Sequence, residues 1–149
     1  MIWLYRILFV PVLLIALPYY LRRMAKRGGY KQDFRFRFGR VKSSDKRNPN
    51  IVRYWIQAVS VGEVNALLPL LEELAKMGPS EFVLTTTTST GYAVARERFH
   101  GREGVVVSLF PIDFRPFSQG SWRRFQPDIA VLMESELWPE HLHQARTRD

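Results

Sequence analysis

Short apolar, β-branched runs alternate with helix-like patterns four times between Ile51 and the end of the chain. That alternation constrains the fold more than any other property of the sequence. The runs are Ile51–Val59, Phe82–Thr87, Val105–Leu109 and Ile129–Met133. After the first, Val64, Leu67, Leu68, Leu71, Leu74 and Ala75 recur at three- and four-residue spacing, which predicts one apolar helix face. Gly78-Pro79 ends that helix. Ser89-Thr90-Gly91 opens a second, with Tyr92, Ala95 and Phe99 on one side, and Gly101–Gly104 is a turn. Phe114–Phe125 reads as a weaker helix interrupted by Pro116 and Gly120. A last helix starts near Pro139, a residue suited to a first helical position. Successive βα units predict an α/β, Rossmann-like parallel sheet. A chain of 149 residues has room for one such domain with a real core, not for two.

In a parallel sheet the loops after the strands share one rim, and such rims carry the chemistry of open α/β folds. Here those loops are Ser60–Glu63, Thr87–Gly91, Pro111–Asp113 and Glu134–Glu136. Ser60-Val-Gly-Glu63 also fits a capping box, with Ser60 capping the helix and Glu63 reaching back to the Ser60 amide. The two readings coexist. A capped glutamate sits at the positive end of the helix dipole, which favours its ionised form, and only that form accepts a proton. Glu134 and Glu136 line a pocket beside a buried strand end or are solvated charges at a helix start, with Trp138-Pro139 behind them. Five threonines and a serine fill Thr85–Thr90. Some are strand residues chosen for β-branching, while Thr90 and Gly91 are placed to offer backbone N–H groups to a phosphate. No GxGxxG fingerprint is present. His141 and His143, two apart on a helix, face different sides and read as surface residues rather than a metal pair. The chain has no cysteine, which excludes disulfides and thiolate metal sites.

The net charge of +8 is unevenly placed. Arg22–Arg53 holds twelve basic and two acidic residues, whereas the remainder of the chain after Arg53 is slightly acidic. The positive charge therefore belongs to one segment, suited to an anionic membrane surface or to nucleic acid. What precedes it favours the membrane. Ile7–Tyr20 is an uncharged run of 14 residues containing Pro11 and Pro18, flanked by Trp3, Tyr5, Tyr19 and Tyr20. Aromatics at both ends match an interfacial belt, and Arg22, Arg23, Lys26 and Arg27 mark the cytoplasmic side. A spanning helix needs about 20 apolar residues, which Arg6 extends toward by snorkelling. A spanning anchor and a shallow monotopic one both fit; a cleaved signal or a buried core helix fits less well. The domain boundaries are an anchor at 1–21, a basic juxtamembrane segment at 22–50 and a Rossmann-like domain at 51–149. In the middle segment Tyr30, Phe34, Phe36 and Phe38 interleave with arginines and are expected to pack on the bilayer surface and the domain, ahead of a solvated loop at Lys42–Asn50. A single-stranded nucleic-acid platform mixes the same residue types, but no nucleic acid is expected beside an anchor. The chain stops at Asp149 just after a helix begins, so a larger two-part protein is expected.

Three blocks, Trp55-Ile-Gln-Ala-Val-Ser-Val-Gly-Glu63, Leu84-Thr-Thr-Thr-Thr-Ser-Thr-Gly91 and Pro127-Asp-Ile-Ala-Val-Leu-Met-Glu-Ser-Glu-Leu-Trp-Pro139, resemble the 3-deoxy-D-manno-octulosonic acid (Kdo) transferases. Phe34–Gly39 resembles the family's juxtamembrane element more loosely, and Gln57 departs from it by standing where the family usually shows His. The resemblance implies the amino-terminal, acceptor-binding domain of a GT-B glycosyltransferase on the cytoplasmic face of the bacterial inner membrane. It implies transfer of Kdo, with inversion, from the donor CMP-Kdo to a lipid A precursor (lipid IVA) in lipopolysaccharide synthesis. No metal or further cofactor is implied. Glu63 is then the general base that deprotonates the acceptor hydroxyl. Ser60, Gly62, Thr90, Gly91, Glu134 and Glu136 are the candidate acceptor-binding residues. The expected partners are the lipid A precursor, an anionic membrane surface and a carboxyl-terminal donor-binding domain, without which this chain is expected to be inactive. A non-catalytic module that binds an anionic glycolipid at the membrane surface stays open as the other reading.

Overall fold

The computed structural model describes residues 2–26, 33–40, 47–133 and 136–148; Tyr30, residues 42–46 of the expected loop, and Glu134 lie outside them. In chain order the elements are helix α1 (Ile2–Lys26), a 3-10 turn (Phe34–Phe38), β1 (Val52–Ala58), α2 (Val61–Lys76), β2 (Ser80–Thr86), α3 (Ser89–Phe99), β3 (Val105–Leu109), α4 (Arg115–Phe125), β4 (Ile129–Leu132) and α5 (Pro139–Arg146). The four strands are parallel, in the order β3-β2-β1-β4. The fold is α/β and Rossmann-like, with an apolar helix in front.

The side-chain period of two along β1 divides the core. Tyr54, Ile56 and Ala58 join Phe82 and Leu84 of β2 against Val64, Leu67 and Leu71 of α2 and Ala95 and Phe99 of α3. On the other face Trp55 and Val83 meet Phe36, Phe110, Trp122 and Phe125. Trp55 anchors that face. Its ring lies edge-on to Trp122 and Phe125, with centroids 5.0 and 4.8 Å apart, and its indole N–H donates to Thr85 Oγ1 at 2.9 Å. A buried indole needs such a partner.

Two expectations change and one holds. α4 is not interrupted: Pro116 sits in its first turn, where a missing N–H costs nothing, and the helix runs through Gly120. The expectation that the basic aromatic segment packs on the domain holds, with Phe36 in the core face of Trp55. Arg37 is 5% exposed and donates to the carbonyls of Phe110 (3.0 Å) and Thr87. Arg53 is buried against Glu81 and the Phe125 carbonyl, and Arg47 pairs with Asp128. Gly39 lets the turn containing Arg37 lie on α4. Its φ is +69°, and a Cβ there would stand 2.6 Å from the Phe117 carbonyl oxygen. Finally, α1 runs unbroken through Pro11 and Pro18 to Lys26. Arg6 does not snorkel: its guanidinium grips Glu140 of α5 at 2.8 and 3.0 Å. Over Ile2–Arg23 the helix is long and apolar enough to cross a membrane.

Candidate functional site

From β1 the chain steps outward to β2 and β3, then returns to place β4 on the other side of β1. The strand order therefore reverses between β1 and β4, and crevices at such reversals are the usual binding sites of open α/β sheets. The loops that follow β1 and β4 flank this crevice. Gln57 pairs with Leu132 in register, and the Met133 amide donates to the Gln57 carbonyl at 3.1 Å. The chain that leaves β1 toward Glu63 and the chain that leaves β4 toward Glu134 and Glu136 thus start level, side by side.

Glu63 is held from both oxygens. Oε2 accepts the Val59 amide at 2.8 Å and Oε1 the Ser60 amide at 3.1 Å, while Ser60 Oγ accepts the Glu63 amide at 3.3 Å. The capping box is formed, and it fixes the carboxylate in the first turn of α2 with 8% exposure. Each carboxylate oxygen carries two lone pairs, so each keeps one beyond the bonds made within the described residues. Gly62, the residue before Glu63, is exposed, and a Cβ there would meet only Ser60 Oγ, at 3.7 Å. Nothing within the described residues requires glycine at this position; its effect is to leave the turn open to solvent.

Gln57, near the end of β1, is fully buried and reaches across the crevice. Its Nε2 donates to Thr87 Oγ1 at 2.9 Å and to Glu136 Oε2 at 3.2 Å, and Glu136 Oε2 also accepts the Trp138 indole N–H at 3.2 Å. Among the described residues the buried Gln57 Oε1 has no hydrogen-bond partner. Glu136 is therefore a half-buried, hydrogen-bonded member of the rim, not a solvated charge at a helix start. Glu134 lies outside the described residues.

The threonine-rich turn is used differently from the expectation. Thr88 caps α3: its Oγ1 accepts the Gly91 amide at 3.1 Å and donates to the Val59 carbonyl at 2.9 Å. Gly91 is buried and its amide engaged, so it does not offer an N–H to a phosphate. Thr90 is exposed beside it.

The rim holds one residue whose role the sequence did not disclose. Asp113, 3% exposed, follows β3 and accepts the amides of Glu140 (3.1 Å) and His141 (2.9 Å), capping α5 from outside the helix. Its Oδ2 also accepts the Tyr5 hydroxyl at 2.6 Å. His141 corrects the surface reading, being 3% exposed. Its Nε2 lies 3.3 Å from the Pro111 carbonyl and its Nδ1 accepts the Trp122 indole N–H at 3.3 Å. That pattern requires the neutral ring with its proton on Nε2. Burial pulls the His141 pKa down to about 4, against a smaller upward pull from Asp113. Its ring and Gln57 help to line a cavity of about 90 Å³ with Trp55, Leu132 and Ala145. Among the described residues no group of three or more His, Asp or Glu side chains is arranged to hold a metal ion.

The sequence model of the family described as 3-Deoxy-D-manno-octulosonic-acid transferase (kdotransferase) matches residues 32–149, which include the whole rim. The chain belongs to the Kdo transferase family. Among curated Kdo transferases, that of Chlamydia pneumoniae is 32% identical over 143 residues, covering 95% of this chain and 32% of the relative. That of Bordetella pertussis is 34% identical over 131 residues, covering 85% of this chain and 30% of the relative. That of Haemophilus influenzae is 32% identical over 143 residues, covering 95% and 30%. This Kdo transferase chain thus spans about a third of the length of the curated relatives it matches. No solved structure matches it.

Proposed function

We propose that the chain is the acceptor-binding half of an inverting Kdo transferase of GT-B type, which moves Kdo from CMP-Kdo to a lipid A precursor at the cytoplasmic face of the inner membrane. Glu63 is the general base. The observation that carries this is its setting: an ionisable carboxylate at the strand-order reversal, clamped by the Val59 and Ser60 amides, with a lone pair left on each oxygen. In the reaction the acceptor hydroxyl gives its proton to Glu63 as its oxygen bonds to the anomeric carbon of Kdo. The bond from that carbon to the CMP phosphate oxygen breaks, and CMP leaves with the electron pair. A positioned base contributes about 10²–10⁴-fold to such a step.

Gly62 leaves the first turn of α2 open for the sugar to approach. Ser60, Thr90 and Glu136 border the acceptor and Glu134 is a further acceptor-binding residue, while Gly91 acts by shaping the turn. The donor binds the remainder of the protein, so this chain alone is inactive. α1 and the exposed cations of the basic segment hold the rim at an anionic lipid surface.

The deciding experiment is Glu63→Gln in the full-length protein, assayed with CMP-Kdo and lipid IVA. An amide still accepts one backbone N–H, so folding and acceptor binding persist while transfer falls by 10²-fold or more, an order expected for loss of a base. Transfer within a few fold of the parent would overturn the assignment.

A further inference from the structure

α1 is fastened to the folded domain by its amino-terminal half. Ile2, Tyr5, Arg6, Phe9 and Leu13 are half-buried and recur at the spacing of one helix stripe. Tyr5 donates to Asp113 at 2.6 Å, Arg6 holds both oxygens of Glu140 at 2.8 and 3.0 Å, and Phe9 stacks on Phe114 with ring centroids 5.5 Å apart. The Glu140 side chain is fully buried, and Arg6 is its cation. A two-pronged pair of this kind is geometrically specific, and taking Arg6 away leaves a buried charge uncompensated.

Much of the remaining helix surface is exposed and apolar. Leu4, Ile7, Val12, Leu14, Ile15 and Tyr19 are each at least 60% exposed. A continuous surface of this kind marks a membrane or partner contact. Here the occupant is lipid: aromatic residues flank the run and Arg22, Arg23 and Lys26 close it, as at a bilayer interface.

The dock and a bilayer crossing exclude each other. At the helical rise, Arg6 lies about 24 Å from Arg22, most of the thickness of a hydrocarbon core. In a crossing helix Arg6 would sit in the far part of the bilayer, while Glu140 and Asp113 stayed with the domain on the near side. We propose that α1 lies along the bilayer interface with its amino terminus on the same side as the folded domain. This rests on the membrane reading given above and goes beyond it. Because Asp113 both receives Tyr5 and caps α5, the lipid-bound helix abuts the catalytic rim itself. The proposed acceptor would then be met at the depth where its head group lies.

The test uses the full-length protein with a short epitope tag before Met1 and Glu103→Cys in the exposed turn before β3 as a marker of the domain's side. Sealed spheroplasts and inverted vesicles are treated with protease for the tag and with an impermeant maleimide for the cysteine. The expected result is that tag and cysteine react from the same side. A tag cut only from the opposite side, in protein that remains in the membrane, would overturn the placement and leave the membrane reading intact. Release of the protein by a carbonate wash would overturn both. As a second measurement, Phe9→Cys with Phe114→Cys is expected to form an oxidative cross-link in the vesicles, and its absence in folded, membrane-bound protein counts against the dock.

Discussion

Gln57, in the last turn of the pleat of β1, donates its side-chain amide to Glu136 beyond β4, 3.2 Å away. The bond ties the two sides of the crevice together from beneath. Gln57→Glu would set a second carboxylate against Glu136 in a buried place. A like-charged neighbour and burial both oppose ionisation. The expected loss is about 2–3 kcal/mol, on the scale of an uncompensated buried polar or charged group. Urea unfolding of variant and parent measures this; an unchanged midpoint would count against close contact.

Gly62→Ala separates stability from activity. The added methyl meets only Ser60 Oγ, at 3.7 Å, and alanine is favoured over glycine in a helix by up to about 1 kcal/mol. Unfolding should be unchanged or slightly later, while transfer by the full-length protein drops by tenfold or more. Unaltered transfer would remove Gly62 from the acceptor path.

Acid should weaken the fold through His141. Its folded-state pKa, about 4, lies below the unfolded value, so the unfolded chain takes up the proton first. The contribution is whole above about pH 6.5 and lost as pH falls toward 4, at most about 3 kcal/mol for a shift of that size. Glu140 acts in the same sense lower down: burial pushes its carboxyl up, but the bonds from Arg6 and Gln144 outweigh it and hold the pKa below its ordinary value. His141→Gln is expected to flatten the pH dependence of the urea midpoint between pH 6.5 and 4. An identical slope in variant and parent would refute this.

Arg6→Ala should destabilise the detergent-solubilised protein by about 3 kcal/mol, the cost of leaving one partner of a buried pair. Adding Glu140→Gln to it should recover part of the loss, because the unpaired charge goes with it. The thermal midpoints of the two single variants and the double variant form the cycle; strict additivity would mean that the two side chains do not interact.

The parallel sheet and the Glu63 turn were legible because each is local. A period of two, a period of 3.6 and a Ser-x-x-Glu spacing all lie within a dozen residues. What remained hidden depends on contacts distant in sequence. Asp113 looks like any polar loop residue until α5 arrives 27 residues later to be capped. His141 reads as surface because α5 is short and polar, yet one side faces Trp55 and Phe110. The docked stripe of α1 had no pattern to betray it, since apolar residues surround the helix. Gly91 was expected to present its amide outward because the Thr-rich turn also suits a phosphate; the Thr88 hydroxyl took that amide first.

β3 and β4 are the two outermost strands of the sheet, and the Asp113 cap fastens the loop after one to the helix after the other. That one side chain therefore links the two ends of the carboxyl rim. Movement of the chain after β4 away from the loop after β3 would strain that cap, so the rim is braced from within the fold. On the proposed function, an acceptor sugar would meet a rim braced before it arrives, and one that needs the loops to part would have to break that cap first.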